Sequence, residues 1–386
     1  MSTPPPPAPG PETPDSVLTK PGNPTPVVSA TSAPLAVSAA SDAPTPLTSL
    51  FLPELEDRLE SLGERRFHAA QVLAWLHRRN APDFESMTDL SKELRAKLPE
   101  QFVLAETTIA RRHDSGDGTF KFLIGLRDGN RIETVMIPEE ERRTVCVSTQ
   151  VGCPVACVFC ASGMDGLVRN LTAAEIVEQV LHVRRTLPET ERITNLVIMG
   201  IGEPLLNVTN LVRALKIFKA SWGMGIGYNR MTLSTVGYIP QLQSMIQEGV
   251  VPNLALSLHA PNDEVRAKVV PTMKKVAVAD IVKAGKEYRE KTNKQVTFEY
   301  VLLKGINDLP KHAMQLGKRV AGTGCKVNVI PWNPVPELAC ETPDEAAVDR
   351  FVKALGATGA WVTVRRKKGD DISAACGQLR HATVKN

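Results

Sequence analysis

The sequence lacks the features that would place it in a membrane or outside the cell. No run of about 18 or more apolar residues occurs, which leaves no candidate for a membrane-spanning helix. The N-terminus has neither the basic nor the apolar region of a secretory signal, so a cytoplasmic location and no membrane partner are the default expectations. Cysteine is also scarce: seven in 386 residues, at 146, 153, 157, 160, 325, 340 and 376, are too few and too clustered for a disulfide scaffold. In a reducing compartment such a cluster suits metal binding or catalysis. The net charge of +4 is too small to argue for nucleic acid by itself. Its placement is uneven, with runs at His77-Arg78-Arg79, Lys274-Lys275 and Arg365 to Lys368.

Composition divides the chain. Residues 1–47 hold 13 of the 29 prolines and almost no large apolar side chains, so they cannot bury enough surface to offset their ordering entropy. A disordered tail is expected there. Residues 48–105 show helical spacing through Leu52, Leu55, Leu59 and Leu62 and again through Leu90, Leu94 and Leu98, which predicts a small helical domain. Residues 106–145 form an extension in which FKFLIGL and IETVMI flank Asp128-Gly129-Asn130, a hairpin signal. From 146 to 386 strand-like runs (CVSTQ, TNLVIMG, RMTLSTVG, NLALSLHA, VTFEYVLLK, CKVNVIP, WVTVRR) alternate with helical stretches. That rhythm predicts an α/β fold of about six βα units curling toward a barrel, with the chemistry at the C-terminal strand ends.

Cys153, Cys157 and Cys160 have the spacing C-x3-C-x2-C directly after the first strand-like run. Three thiolates can ligate three irons of a [4Fe–4S] cubane and leave the fourth iron open to chelate S-adenosylmethionine. One electron from such a cluster breaks the carbon–sulfur bond and yields a 5′-deoxyadenosyl radical. A zinc site would ordinarily show four protein ligands, and no second pair lies at suitable spacing. Gly200-Ile-Gly-Glu-Pro204 ends the second strand, where glycines let the backbone approach a ligand and Glu203 can meet a positive amino group. Ser234, Ser257, His259 and Asn333 fall at successive strand ends.

The motifs CVSTQVGCPVACVFC, MGIGEPLLN, TLSTVG, SLHAPND, IPWNP and GDDISAACGQL follow one another in this order. In them the chain, from about Leu52 to Leu379, resembles the 23S rRNA adenine C2 methyltransferase family of the radical S-adenosylmethionine superfamily. The resemblance implies a partial (βα)6 barrel with a small helical N-terminal accessory domain and a β-hairpin extension. It implies 23S rRNA as substrate, in some members also a tRNA adenosine beside the anticodon, and an electron donor such as flavodoxin. A monomer is expected. By motif, Cys376 accepts a methyl group from one S-adenosylmethionine, and the radical from a second removes hydrogen from it. Cys146 then resolves the protein–RNA adduct by a disulfide with Cys376, and Glu133 assists proton removal. Gly202, Glu203, Ser234, Ser257, Leu258, His259 and Asn333 match contacts to S-adenosylmethionine, and Cys153, Cys157 and Cys160 match the cluster ligands. Ser373, where many members are acidic, and the stretch from Glu337 to Asp344 depart from the pattern.

The chemistry agrees with that scheme. Adenine C2 lies between two ring nitrogens and is electron-poor, so it resists an electrophilic methyl group but accepts a carbon radical. A thiolate is a competent first acceptor. Two alternatives stand beside it: a Cfr-type enzyme acting at C8 of the same adenosine, which shares the cysteine motifs, and a non-catalytic zinc-containing RNA-binding module. RNA would enter with its target base splayed out, which makes Arg365 to Lys368 a candidate backbone-contacting patch.

Overall fold

The computed structural model describes residues 44–365 and 368–383; the Pro-rich segment expected to be disordered lies, up to residue 43, outside the described residues. Regular pairing begins at β1 (Thr45–Pro46), parallel to β2 (Phe102–Val103), and Leu47 is fully buried. Helices α1 (Leu52–Ser61), α2 (His68–Ala74) and α3 (Lys92–Gln101) lie between those strands. Their inward faces carry Leu55, Leu59, Val72, Leu73, Leu94 and Leu98 at helical spacing, all buried.

Strands β3 (Thr108–Asp114), β4 (Phe120–Gly125), β5 (Asn130–Glu139) and β6 (Arg142–Cys146) form an antiparallel meander. The expected hairpin is its β4–β5 pair, turning at Asp128-Gly129, where Gly129 has φ +83°. After a small pair of β7 (Gln150–Gly152) and β8 (Leu167–Asn170) the chain alternates strand and helix: α4 (Ala173–Thr186), β9 (Asn195–Ile198), α5 (Val208–Lys219), β10 (Met231–Thr235), α6 (Ile239–Gln247), β11 (Asn253–Ser257). It continues through α7 (Asp263–Val269), α8 (Val278–Thr292), β12 (Val296–Leu302), α9 (Pro310–Val320), β13 (Lys326–Pro331), α10 (Glu345–Gly356) and β14 (Trp361–Val364). Strands β6, β9, β10, β11, β12, β13 and β14 are parallel neighbours in chain order, the outcome of successive βα crossovers. Short β15 (Ala382–Thr383) returns antiparallel to β5. Every residue of β12, VTFEYVL, is buried, as a strand in the middle of such a sheet requires.

Two expectations change. The first parallel strand is Arg142–Cys146 and not CVSTQ; Cys146 is its last residue, and Val147 still donates to Val197 at 3.0 Å. Arg142 and Arg143 disguise its start, because their charges interrupt an apolar run while Arg143 ion-pairs Glu191 at the surface at 2.5 Å. Since β6 pairs with both β5 and β9, extension and barrel share one continuous sheet. Among the described residues no helix is long and apolar enough to cross a membrane.

Candidate active site

The cysteine loop runs between β7 and β8 at the C-terminal end of the first parallel strand. Its neck is tight: Gly152 has φ +76°, and a Cβ there would meet the Gly166 carbonyl oxygen at 1.9 Å. Cys153 N donates to that same oxygen at 2.9 Å, Val158 N to Val269 O at 3.2 Å, and Ala161 N to Gly377 O at 2.8 Å. Trp332 Nε1 donates to the Phe159 carbonyl at 2.9 Å, and the Phe159 ring meets the edge of His259 at 4.7 Å. These bonds turn all three cysteines toward one cavity at the strand ends. Burial pushes the Cys153 thiol up to about 12 and raises Cys157 and Cys160 as well. Buried thiols without a base become good ligands only when a metal takes their protons' place.

The same cavity is lined by Gly202, Glu203, Ser234, Ser257, His259, Asn333 and Cys376. Glu203 is nearly buried; its carboxylate accepts from Leu205 N at 3.1 Å, Thr235 Oγ1 at 2.7 Å and Val236 N at 3.0 Å. Burial raises it to about 7, against the pull of those donors. The glycines of GIGEP meet a different need from the one expected. A Cβ on Gly200 would lie 2.7 Å from the Val147 carbonyl, and one on Gly202 would lie 2.7 Å from the Gln150 side chain. They let this loop press on the end of the first strand, and Gln150 Oε1 accepts from Glu203 N at 2.8 Å.

Ser234 and Ser257 face each other at 3.3 Å on adjacent strands. His259 has φ +56° and accepts at Nδ1 from Val301 N at 3.1 Å, so its proton sits on Nε2; burial lowers it to about 3 and keeps it neutral. Leu258 is fully buried in the core and does not line the cavity. Its backbone is engaged too, the N–H donating to Glu299 O at 3.1 Å and the carbonyl accepting from Arg266. Asn333 donates to the Cys376 carbonyl at 2.9 Å, while its buried Oδ1 has no partner. That orphaned acceptor, the Glu203 carboxylate and a neutral imidazole fit a ligand with amino and hydroxyl donors, as S-adenosylmethionine has. Among the described residues no three His, Cys, Asp or Glu side chains close on a single point as a mononuclear ion requires. A cubane instead takes each thiolate on a separate iron, and three thiols around one cavity suit it.

Cys376 comes from the far end of the chain and is exposed on the cavity wall. Cys146 is buried beside it, its thiol pushed up to about 12 by burial first and by Cys376 next. All seven cysteines are free thiols; the Cys146–Cys376 disulfide that the resemblance implies belongs to the resolution of the adduct and is not formed here. Glu133 does not line the cavity; it ion-pairs Lys121 at 2.8 Å and accepts from Arg380 N at 2.9 Å.

Other residues of the site were hidden in the sequence. Arg365, expected on an outward basic patch, lines the cavity; burial raises the thiols of both Cys146 and Cys376, and the Arg365 charge opposes that rise without reversing it; Arg366 and Lys367 lie outside the described residues. Its place at the end of β14 was the available signal. Arg266 is 1% exposed and donates to the carbonyls of Ser257 at 2.9 Å and Val236 at 2.6 Å, and also to that of Leu258, tying two strand ends together. Cys325 has a bond to its own turn, and Cys340 leans on the Val158 carbonyl at 3.5 Å.

Comparison with known proteins agrees with this geometry. Residues 45–104 match the ribosomal RNA large subunit methyltransferase N-terminal domain (RlmN_N), and residues 147–316 match the radical SAM superfamily. The chain is 46% identical over 329 residues to a probable dual-specificity RNA methyltransferase RlmN of Rhodopirellula baltica, covering 85% of this chain and 89% of that one. It is 44% identical over 332 residues to the dual-specificity RNA methyltransferase RlmN of Marinobacter nauticus, covering 84% and 90%. A solved radical SAM methyltransferase from Sphaerobacter thermophilus superposes with a TM-score of 0.84 at 43% identity, over 87% of this chain and 99% of that one.

Proposed function

Because the chain belongs to the RlmN family of radical S-adenosylmethionine RNA methyltransferases, we propose that it methylates C2 of one adenosine in 23S rRNA, and of an adenosine beside the tRNA anticodon, by way of a methyl group carried on Cys376. Its cofactors are a [4Fe–4S] cluster and S-adenosylmethionine. That membership removes the alternative of a non-catalytic zinc module. Cys153, Cys157 and Cys160 would hold the cluster; Gly202, Glu203, Ser234, Ser257, His259 and Asn333 would hold S-adenosylmethionine. The cluster, when bound, supplies the electron that cleaves S-adenosylmethionine into a hydrogen-abstracting radical.

The protein's own part follows from its side chains. Burial raises the Cys376 thiol and Arg365 opposes that rise; on losing its proton the sulfur takes a methyl group by displacement at the sulfonium carbon, with the thioether as leaving group. Asn333 keeps the Cys376 backbone at the cavity wall, so the S-methyl group stays within reach of the hydrogen-abstracting step. After hydrogen loss that carbon radical adds to electron-poor C2 of the adenine, and the adduct gives up one electron, to the oxidised cluster when bound, and the C2 proton, which restores the aromatic ring. The Cys146 thiolate then attacks the Cys376 sulfur; the sulfur–methylene bond breaks, the methylene carbon takes a proton to become the methyl group, and the two cysteines are left as a disulfide for an external reductant to reopen. Glu133, expected to accept a proton, is already engaged by Lys121 and Arg380, which supports a part in holding the Cys376 segment. The enzyme works as a cytoplasmic monomer with a flavodoxin-type electron donor.

The observation that carries this reading is the placement of Cys376 on the same cavity wall as Cys153, Cys157 and Cys160. Mass spectrometry of rRNA and tRNA nucleosides, from a deletion strain and from RNA treated with anaerobically reconstituted holoenzyme, tests it. The expected product is 2-methyladenosine in both RNAs; 8-methyladenosine would assign the Cfr-type reaction.

A further inference from the structure

The run His77-Arg78-Arg79 is split by the fold into separate environments. Arg79 stacks on Trp75 at 4.3 Å and ion-pairs Asp89 at 3.0 Å. His77 turns inward, 2% exposed and tilted against Trp222, and neither ring nitrogen has a partner. Arg78 is exposed on a cleft of about 280 Å³ that it shares with His77, Arg184, Arg192 and the apolar Ile193, Met224 and Ile226.

The cleft is chemically incomplete. Arg184 donates to the Arg78 carbonyl at 3.1 Å, but its buried Nε has no partner. Among the described residues Arg78, Arg184 and Arg192 meet no carboxylate, although neighbouring Arg143 is paired with Glu191 at 2.5 Å. Like charges gathered without a counter-charge raise one another's energy, and unsatisfied N–H donors add to that cost. An anion relieves both. Planar guanidinium forks pair bidentately with the oxygens of an oxyanion such as a phosphate, which a halide cannot offer.

Topology says which phosphate. Arg184 lies near the C-terminal end of α4, Arg192 just before β9, and Met224 and Ile226 just before β10. The cleft is therefore at the N-terminal ends of the strands, away from the cavity of Cys376. β9 has four residues, Asn195–Ile198, so only about 13 Å of strand separates the two levels. A structured RNA whose target base occupies the cavity is large enough to bring a neighbouring stem to this cleft. We propose that the Arg78–Arg184–Arg192 cleft binds a backbone phosphate of the substrate RNA at a distance from the target adenosine. This rests on RNA being the substrate and is independent of which carbon is methylated.

The test compares wild-type holoenzyme with the Arg78→Gln/Arg192→Gln variant, both sites being exposed. Binding and methylation are measured on full-length tRNA and a folded 23S rRNA domain, and on a short single-stranded oligonucleotide carrying the target adenosine. Structured RNA should bind several-fold more weakly, with a salt dependence shallower by about 0.7–0.9 per lost contact. KM should rise while kcat and binding of the short oligonucleotide stay as in wild type. The Arg78→Lys/Arg192→Lys variant should recover the salt slope. Unchanged affinity and slope for structured RNA would overturn the proposal. So would a variant that has lost only competition by added inorganic phosphate, which would mark a free-phosphate site. Absence of methylation by wild type would instead count against the proposed function, while the binding slopes still decide the cleft.

Discussion

The Lys121 ammonium lies 2.8 Å from the Glu133 carboxylate, and through this pair the meander grips the Cys376 segment on both sides. Lys121 also donates to the Ser373 carbonyl at 3.0 Å, and Glu133 accepts from the Arg380 amide at 2.9 Å. Both side chains are close to fully buried, 8% and 12% exposed.

Removing one partner of a buried pair strands the other charge. Lys121→Met should cost about 3–5 kcal/mol in urea unfolding and speed alkylation of Cys376 as its segment loosens. Glu133→Gln keeps an acceptor for Arg380 N and should cost less and slow turnover less. The opposite order of activities would restore Glu133 as a proton acceptor.

Cys376→Ala should abolish methylation and leave iron and sulfide content at the wild-type level, because Cys376 lies outside the cluster motif. Full activity in that variant would sink the methyl-carrier assignment.

On the proposed scheme Cys146→Ala halts the reaction at a covalent protein–RNA species, because no thiol remains to attack the Cys376 sulfur. Denaturing gels of the reaction would show the adduct as a shifted band. Free, unmodified RNA alone would speak against the resolving role.

Glu178 supplies a pH dependence outside the active site. It accepts from Thr48 Oγ1 at 2.8 Å, Glu106 N at 2.9 Å, Thr107 N at 2.9 Å and Thr107 Oγ1 at 2.7 Å, tying the start of the accessory domain to α4. Burial nevertheless raises it to about 7. A folded pKa above the unfolded value means that the native state binds more protons between about pH 4.5 and 7, so this group's contribution falls as pH rises through that window. The full effect is on the order of 3 kcal/mol. His182, lowered to about 4 by burial, acts in the opposite sense between about pH 4 and 6.5. Denaturant unfolding of Glu178→Gln against wild type isolates the carboxylate: the difference between them should grow in favour of the variant from pH 4.5 to 7. A difference that stays flat would refute it.

The local patterns were legible because local spacing carries their chemistry. C-x3-C-x2-C needs nothing beyond its own loop to present three thiols, and the βα rhythm follows from hydrophobic periodicity along each segment. The cysteine loop, the βα alternation with its parallel sheet and the strand-end positions of Ser234, Ser257, His259 and Asn333 therefore came from sequence. Packing decided the rest. Whether Leu258 faces ligand or core, whether the GIGEP glycines meet a cofactor or the Gln150 side chain, and whether Arg365 points out or in depends on elements tens to hundreds of residues away. The same holds for the three fates of His77, Arg78 and Arg79. By itself the sequence determined the cluster-binding loop and the βα architecture; only the tertiary structure brought Cys376 to that loop and set Cys146 behind it, because a contact between distant segments is specified by how whole faces pack and not by any spacing within one.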